Sequence, residues 1–172
     1  MKILKPSKKI IHVFIVVLVT CVLIFISTIV KKIGAKKITQ SKIQELPQVK
    51  LYSIDSSLYV APSSSLAIIF FNSDCEYCQY EIYEVSKKQE LFLNKEVIFV
   101  SSENISVIQK ISEKFNLTHS SNIHFVKINA EDVFNTFGSL YIPHIFIYGK
   151  DRKLIKEFKG ETKIEAILKY LP

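Results

Sequence analysis

From Ile10 to Val30 the chain reads IIHVFIVVLVTCVLIFISTIV, 21 residues without a formal charge. At about 1.5 Å per residue, a helix of that length spans roughly 30 Å, the thickness of a bilayer core. A segment that is apolar on every side has no polar face to turn toward water, so it is not an amphipathic surface helix. It is also too long and too uniform for a core helix of a small domain. One transmembrane helix is therefore expected over 10–30, in contact with membrane lipid, with His12 neutral or at the interface. A cleaved signal peptide would have a shorter apolar core and a small-residue cleavage site. Ser27-Thr28-Ile29 is a poor site, and the apolar run continues past it. Lipidation at Cys21 would place Thr20 where a small residue is needed, and more apolar residues follow. Otherwise Cys21 is a small apolar side chain within the membrane.

The formal net charge of +7 in 172 residues is unevenly placed. Residues 1–50 hold ten lysines against one acid, Glu45, for +9, and residues 51–172 hold thirteen Lys/Arg against fifteen Asp/Glu, for −2. A basic groove for nucleic acid is not supported by that balance. The lysines flank the apolar run on both sides, so the positive-inside rule is close to a tie and orientation stays open. The chain divides into a short basic tail (1–9), the transmembrane helix (10–30), a Lys-rich juxtamembrane linker (31–50) and a soluble domain (51–172). The lysines beside the membrane would also meet anionic head groups.

Within the soluble domain, Leu66-Ala67-Ile68-Ile69-Phe70-Phe71 is a continuous apolar run, the mark of a strand covered on both faces. Ser73-Asp74-Cys75-Glu76 fits a capping box, with Ser73 as N-cap and Glu76 reaching back, and predicts a helix to about Lys88. Further strands are expected at Val97–Val100, His124–Ile128, Ile145–Tyr148 and Leu154–Phe158. Helices are expected from Ile105 to Phe115, Glu131 to Phe137 and Lys163 to Leu171. An extended segment is expected near Leu51–Tyr59. Gly149–Arg152 reads as a hairpin turn. This alternation implies an α/β fold, a three-layer sandwich whose sheet ends in an antiparallel hairpin. With four glycines in the whole chain, a GxGxxG nucleotide fold is excluded.

Cys75-Glu76-Tyr77-Cys78 is the sharpest chemical feature. It lies between a buried strand and a helix start, where backbone N–H groups stabilise an anion and would favour the thiolate of the first cysteine. The thiolate is the species that attacks a disulfide. Cys78 lies one turn on and can close a disulfide back onto Cys75. Cys75 is thus the expected nucleophile and Cys78 the resolving thiol. Glu76 works against that thiolate.

The segment Phe70–Cys78, together with the distant Tyr141-Ile142-Pro143, resembles the thioredoxin superfamily over about residues 51–172. Pro143 stands 65 residues after Cys78 and just before a hairpin and final helix. The resemblance implies a thioredoxin-like sandwich and a cis-proline loop at Pro143 lying against the cysteine pair. The N-terminal anchor and Glu81, three residues after Cys78, are most similar to membrane-anchored TlpA/ResA-like thiol–disulfide oxidoreductases. In those relatives a Glu at that place lies near the redox pair, where it could take the proton of Cys78. The bland alternative for Glu81 is a solvated helix residue, paired with Lys88 or exposed. The resemblance implies a membrane-tethered oxidoreductase without a tightly bound cofactor. Its domain would lie outside the cytoplasm, in a bacterial periplasm or at a cell surface. Its partners would be exported Cys-containing proteins, apocytochromes c among them, and a membrane electron donor. The chain departs from thioredoxin in having Asp74 in place of the Trp before the first cysteine, Glu-Tyr in place of Gly-Pro, and Ile69 where thioredoxin has a buried Asp.

Two rival chemistries remain on the same fold. Peroxiredoxins place a Thr three residues before the attacking cysteine; here it is Asn72, which weakens a peroxidase reading. Metal binding would draw on His119 and His124, whose spacing occurs in zinc sites, but forty residues separate Cys78 from His119. His144 could instead serve copper delivery, although copper-delivery relatives use CxxxC. A strand position near the site, tuning its electrostatics, is the simpler reading of His144.

Overall fold

A computed structural model describes residues 8–171, with side chains from Val17 onward. The chain divides into two compact units, the second beginning at Thr39.

The first unit is helical. Helix α1 (Lys8–Lys42) contains the uncharged run. It is the one helix among the described residues that is long and apolar enough to cross a membrane. Its large apolar side chains are outward, with Leu18 64% and Phe25 66% exposed. The helical conformation does not stop at Val30. Residues 31–42, expected as linker, continue it, because Lys, Ala, Ile and Gln are all adequate helix formers and no Pro intervenes before Pro47.

In the second unit, seven strands form one sheet: β1 (Leu51–Ser53), β2 (Leu58–Tyr59), β3 (Leu66–Phe70), β4 (Glu96–Ser101), β5 (Ile123–Ile128), β6 (His144–Tyr148) and β7 (Leu154–Lys159). Their order is β2-β1-β5-β4-β3-β6-β7. The central β3 runs parallel to β4 and antiparallel to β6. β4 and β5 are parallel, and β6–β7 is the antiparallel hairpin expected from the turn residues. The extended segment near Leu51–Tyr59 is a small hairpin, β1–β2.

Period-2 alternation divides the strand side chains between two cores. Ala67, Ile69, Val97, Phe99, Phe125, Ile145 and Ile147 face one side. There they meet α2 (Glu76–Lys87), α3 (Ile105–Lys114) and α5 (Ile164–Tyr170) through Cys78, Ile82, Ile108, Ile111, Ile164 and Ile167. Phe99 and Phe125 stack at 4.9 Å, and Phe71 meets both edge-on. Leu66, Ile68, Phe70, Ile98, Val100, Val126, Phe146 and Tyr148 face the other side, covered by α4 (Ala130–Phe137) and by residues just after α1. Gly138 ends α4 at φ +71°, a conformation glycine adopts without strain.

The segment after α1 is part of this unit. Ile43 is buried, and Leu46 and Val49 pack beside it. Leu46 N donates to Arg152 O at 2.7 Å, and Leu154 N donates to Gln44 O at 2.8 Å. The buried Tyr148 hydroxyl donates to Ile43 O at 3.1 Å. Residues 43–50 are therefore a fastened strap rather than a loose tether.

Candidate active site

Strand β3 ends at Phe70, and Phe71 N still reaches Val100 O at 2.9 Å. The chain then turns. Asn72 Oδ1 accepts from Asp74 N at 2.9 Å, and Asn72 O accepts from Cys75 N at 3.2 Å. Helix α2 opens at Glu76, and its N-cap is Cys75 itself. Cys75 Sγ accepts the N–H of Cys78 at 3.2 Å. This corrects the expected capping box, because Ser73 is engaged elsewhere. Its N and Oγ both donate to the Glu103 carboxylate, at 2.8 and 2.6 Å.

The two cysteines are free thiols in unlike surroundings: Cys75 is half-buried and Cys78 only 1% exposed. Burial pushes the Cys78 thiol well up, with its hydrogen bond to Cys75 and the charges of Cys75 and Glu81 acting in the same direction. The Cys78 N–H aimed at Cys75 Sγ would stabilise negative charge developing on that sulfur. Cys75 Sγ also faces Ile142 O at 3.9 Å, across the loop that contains the cis Ile142–Pro143 bond. The structure therefore brings the Pro143 loop, 65 residues on from Cys78, to the cysteine pair.

Glu81 lies on the buried face of α2 with Cys78, Ile82 and Val85. It is 1% exposed, and it is not paired with Lys88, which binds Glu84 and Glu165. Its Oε2 accepts from Thr162 N at 3.3 Å, while Oε1 is buried without a hydrogen-bond partner. Burial pushes its carboxyl up to about 8; the Thr162 N–H opposes this and the Glu161 charge adds to it. A cavity of about 340 Å³, bounded by Tyr80, Glu84, Glu161 and Lys163, reaches Glu81 from the surface. The solvated alternative for Glu81 is thus overturned: the loop before α5 closes over it.

His144 does not sit where its place beside Pro143 suggests. It points to the sheet face opposite α2, stacks on Phe146 at 4.5 Å and binds Glu157 at 2.8 Å. Burial pushes its imidazole down, against the pull of Glu157. It therefore has no direct contact with the cysteines. His124 binds Glu96 at 3.2 Å on β4, and among the described residues no three His, Cys, Asp or Glu cluster for a metal.

The sequence did not reveal Glu103. Its carboxylate also accepts from Ser101 Oγ at 3.0 Å. The parallel register Phe70↔Val100 carries Ser73 to the side of Glu103, a neighbour relation visible only once β3 and β4 are paired.

No protein-family model matches the sequence, and no curated protein does. Solved structures do match. The secreted Mycobacterium tuberculosis disulfide oxidoreductase homologous to E. coli DsbE superposes with a TM-score of 0.60 at 10% identity, covering 76% of this chain and 96% of that one. StoA from Bacillus subtilis gives 0.55 at 13% identity, over 70% and 93%. A peroxiredoxin-like protein from Aquifex aeolicus gives 0.60 at 14%, over 73% and 82%. The fold is thioredoxin-like. On this thioredoxin-like frame the cysteine pair lies at the end of the central strand and the cis-proline loop lies opposite it, as the resemblance implied.

Proposed function

We propose that this chain is a membrane-tethered thiol–disulfide oxidoreductase. The observation that carries the reading is the asymmetry of the pair. Cys75 is accessible and receives a helix N–H, whereas Cys78 is buried, with its thiol held protonated. Cys75 then attacks a partner disulfide. One S–S bond breaks, a mixed disulfide forms and the first partner thiolate leaves. Cys78 passes its proton to Glu81 and attacks Cys75 Sγ. The Cys75–Cys78 disulfide forms, the second partner thiolate leaves, and two electrons have moved to the partner. A carboxyl that titrates at about 8 holds and releases a proton near neutral pH, so Glu81 suits both directions of this step. Pro143 and the Ile142 carbonyl form the wall against which the partner backbone would lie.

Helix α1 supplies the tether, through lipid contact over 10–30, and the soluble domain lies outside the cytoplasm. Exported Cys-containing proteins, apocytochromes c among them, are the partner class, and a membrane electron donor resets the pair. No cofactor takes part in the exchange itself.

Reduction of a model protein disulfide such as that of insulin tests the reading. Cys75→Ser abolishes it. Cys78→Ser stalls at the mixed disulfide and turns over poorly. Retained turnover in Cys75→Ser refutes the assignment, and peroxide consumption without disulfide exchange would favour the peroxidase alternative.

A further inference from the structure

Two helix starts compete in the same four residues. Ser73-Asp74-Cys75-Glu76 satisfies the capping-box pattern, and Ser is among the best N-cap residues. With Ser73 as N-cap, α2 would begin at Asp74 and Cys75 would lie within the first turn. Its sulfur would then lose the N-cap place and the Cys78 N–H. The structure takes the other start, with Cys75 as N-cap.

Ser73 is bound to Glu103 instead. Glu103 Oε2 takes Ser73 N at 2.8 Å, and its Oε1 takes Ser73 Oγ at 2.6 Å. Oε2 also accepts from Ser101 Oγ at 3.0 Å, and Ser101 Oγ in turn accepts from Glu103 N at 3.2 Å, so the carboxylate is itself held in place. The third polar group of Ser73, its carbonyl, accepts from Gln79 Nε2 at 2.6 Å, and Gln79 Oε1 accepts from Lys114 Nζ at 2.6 Å. Ser73 Oγ keeps its acceptor lone pairs, but it is anchored on the Glu103 carboxylate, and the Cys75 N–H that a Ser73 cap would accept goes to Asn72 O at 3.2 Å.

We propose that Glu103 is a positioning residue that selects the start of α2, so that the Cys78 N–H is delivered to the Cys75 sulfur and not to a serine-capped alternative. The inference rests on the reading of Cys75 as the attacking thiol. It adds that this nucleophile is set by a carboxylate thirty residues away in sequence. Ser73 and Glu103 act as a pair, and removing both should undo the damage of removing Glu103 alone.

The test is the rate of iodoacetamide modification of Cys75 in the reduced full-length protein in detergent, read on the Cys75 peptide by mass spectrometry. Glu103→Ala frees Ser73 to cap, and the rate falls roughly tenfold, the worth of one cap hydrogen bond to the anion. Adding Ser73→Ala removes the competitor, and the double variant recovers most of the rate. A residue that only held the loop together would show no such recovery. If Glu103→Ala does not fold, the milder Glu103→Gln, alone and with Ser73→Ala, gives the same pair of measurements with a smaller fall. Wild-type rates in the single variants, or a slow rate that Ser73→Ala does not relieve, overturn the proposal. Cys75→Ser assayed for disulfide exchange alongside separates the two claims: retained exchange there refutes the oxidoreductase reading, whatever the alkylation rates show.

Discussion

At the scale of single residues, the proposed exchange turns on two buried protons, those of Cys78 and Glu81. The cysteine motif and the carboxylate one turn on were legible in the sequence, because spacing alone puts them on one helix face. The proton affinity of Glu81 was not, because it depends on Thr162 and Glu161, eighty residues further on, closing over it. The sign of the resulting pH effect follows. Glu81 titrates at about 8 in the folded chain, against an ordinary value of 4.5. Between those values the folded state keeps a proton that the unfolded state has lost, so stability falls as pH rises through that window. The loss is on the order of a few kcal/mol. Melting temperatures of the wild type should drop from pH 5 to pH 9 by more than those of Glu81→Gln; parallel curves would show that Glu81 is not perturbed. Glu81→Gln should also slow disulfide exchange by about 100-fold, the low end of the range for positioned acid–base groups, with Cys75 alkylation near normal.

At the scale of elements, the strands were readable because burial on both sheet faces demands unbroken apolar runs, and Leu66–Phe71 and Ile145–Tyr148 are such runs. Helix starts were less readable. Local pattern favoured Ser73 as the cap of α2, and a tertiary contact to Glu103 decided otherwise. The strap after α1 was hidden for a related reason. Its lysine-rich, mixed composition looks like a tether, but Ile43 is buried and its carbonyl accepts from the Tyr148 hydroxyl. Tyr148→Phe removes that bond and should cost about 1 kcal/mol in urea unfolding, since the Ile43 carbonyl is left without the donor. No measurable change would mean that the strap is held by packing alone.

At the scale of the whole molecule, the boundary that matters lies at Thr39 rather than at Leu51. A fragment beginning at Thr39 keeps Ile43, Leu46 and Val49 against the sheet. One beginning at Leu51 exposes that surface and orphans Tyr148. The shorter fragment should be less stable by on the order of 3–5 kcal/mol, measurable as a lower urea midpoint. Equal midpoints would return the strap to the status of a linker. The layered α/β plan and its closing hairpin follow from alternating apolar runs and turn residues. The parallel register that sets Ser73 beside Glu103 belongs to the folded sheet alone. If Cys75 attacks and Cys78 resolves, removing Cys78 should leave the mixed disulfide on Cys75 unresolved. Full-length Cys78→Ser, incubated with a disulfide-bonded peptide, should accumulate a one-to-one covalent adduct on Cys75, releasable by dithiothreitol and visible by mass spectrometry. No adduct, or an adduct confined to Cys21, would show that Cys75 is not the attacking thiol.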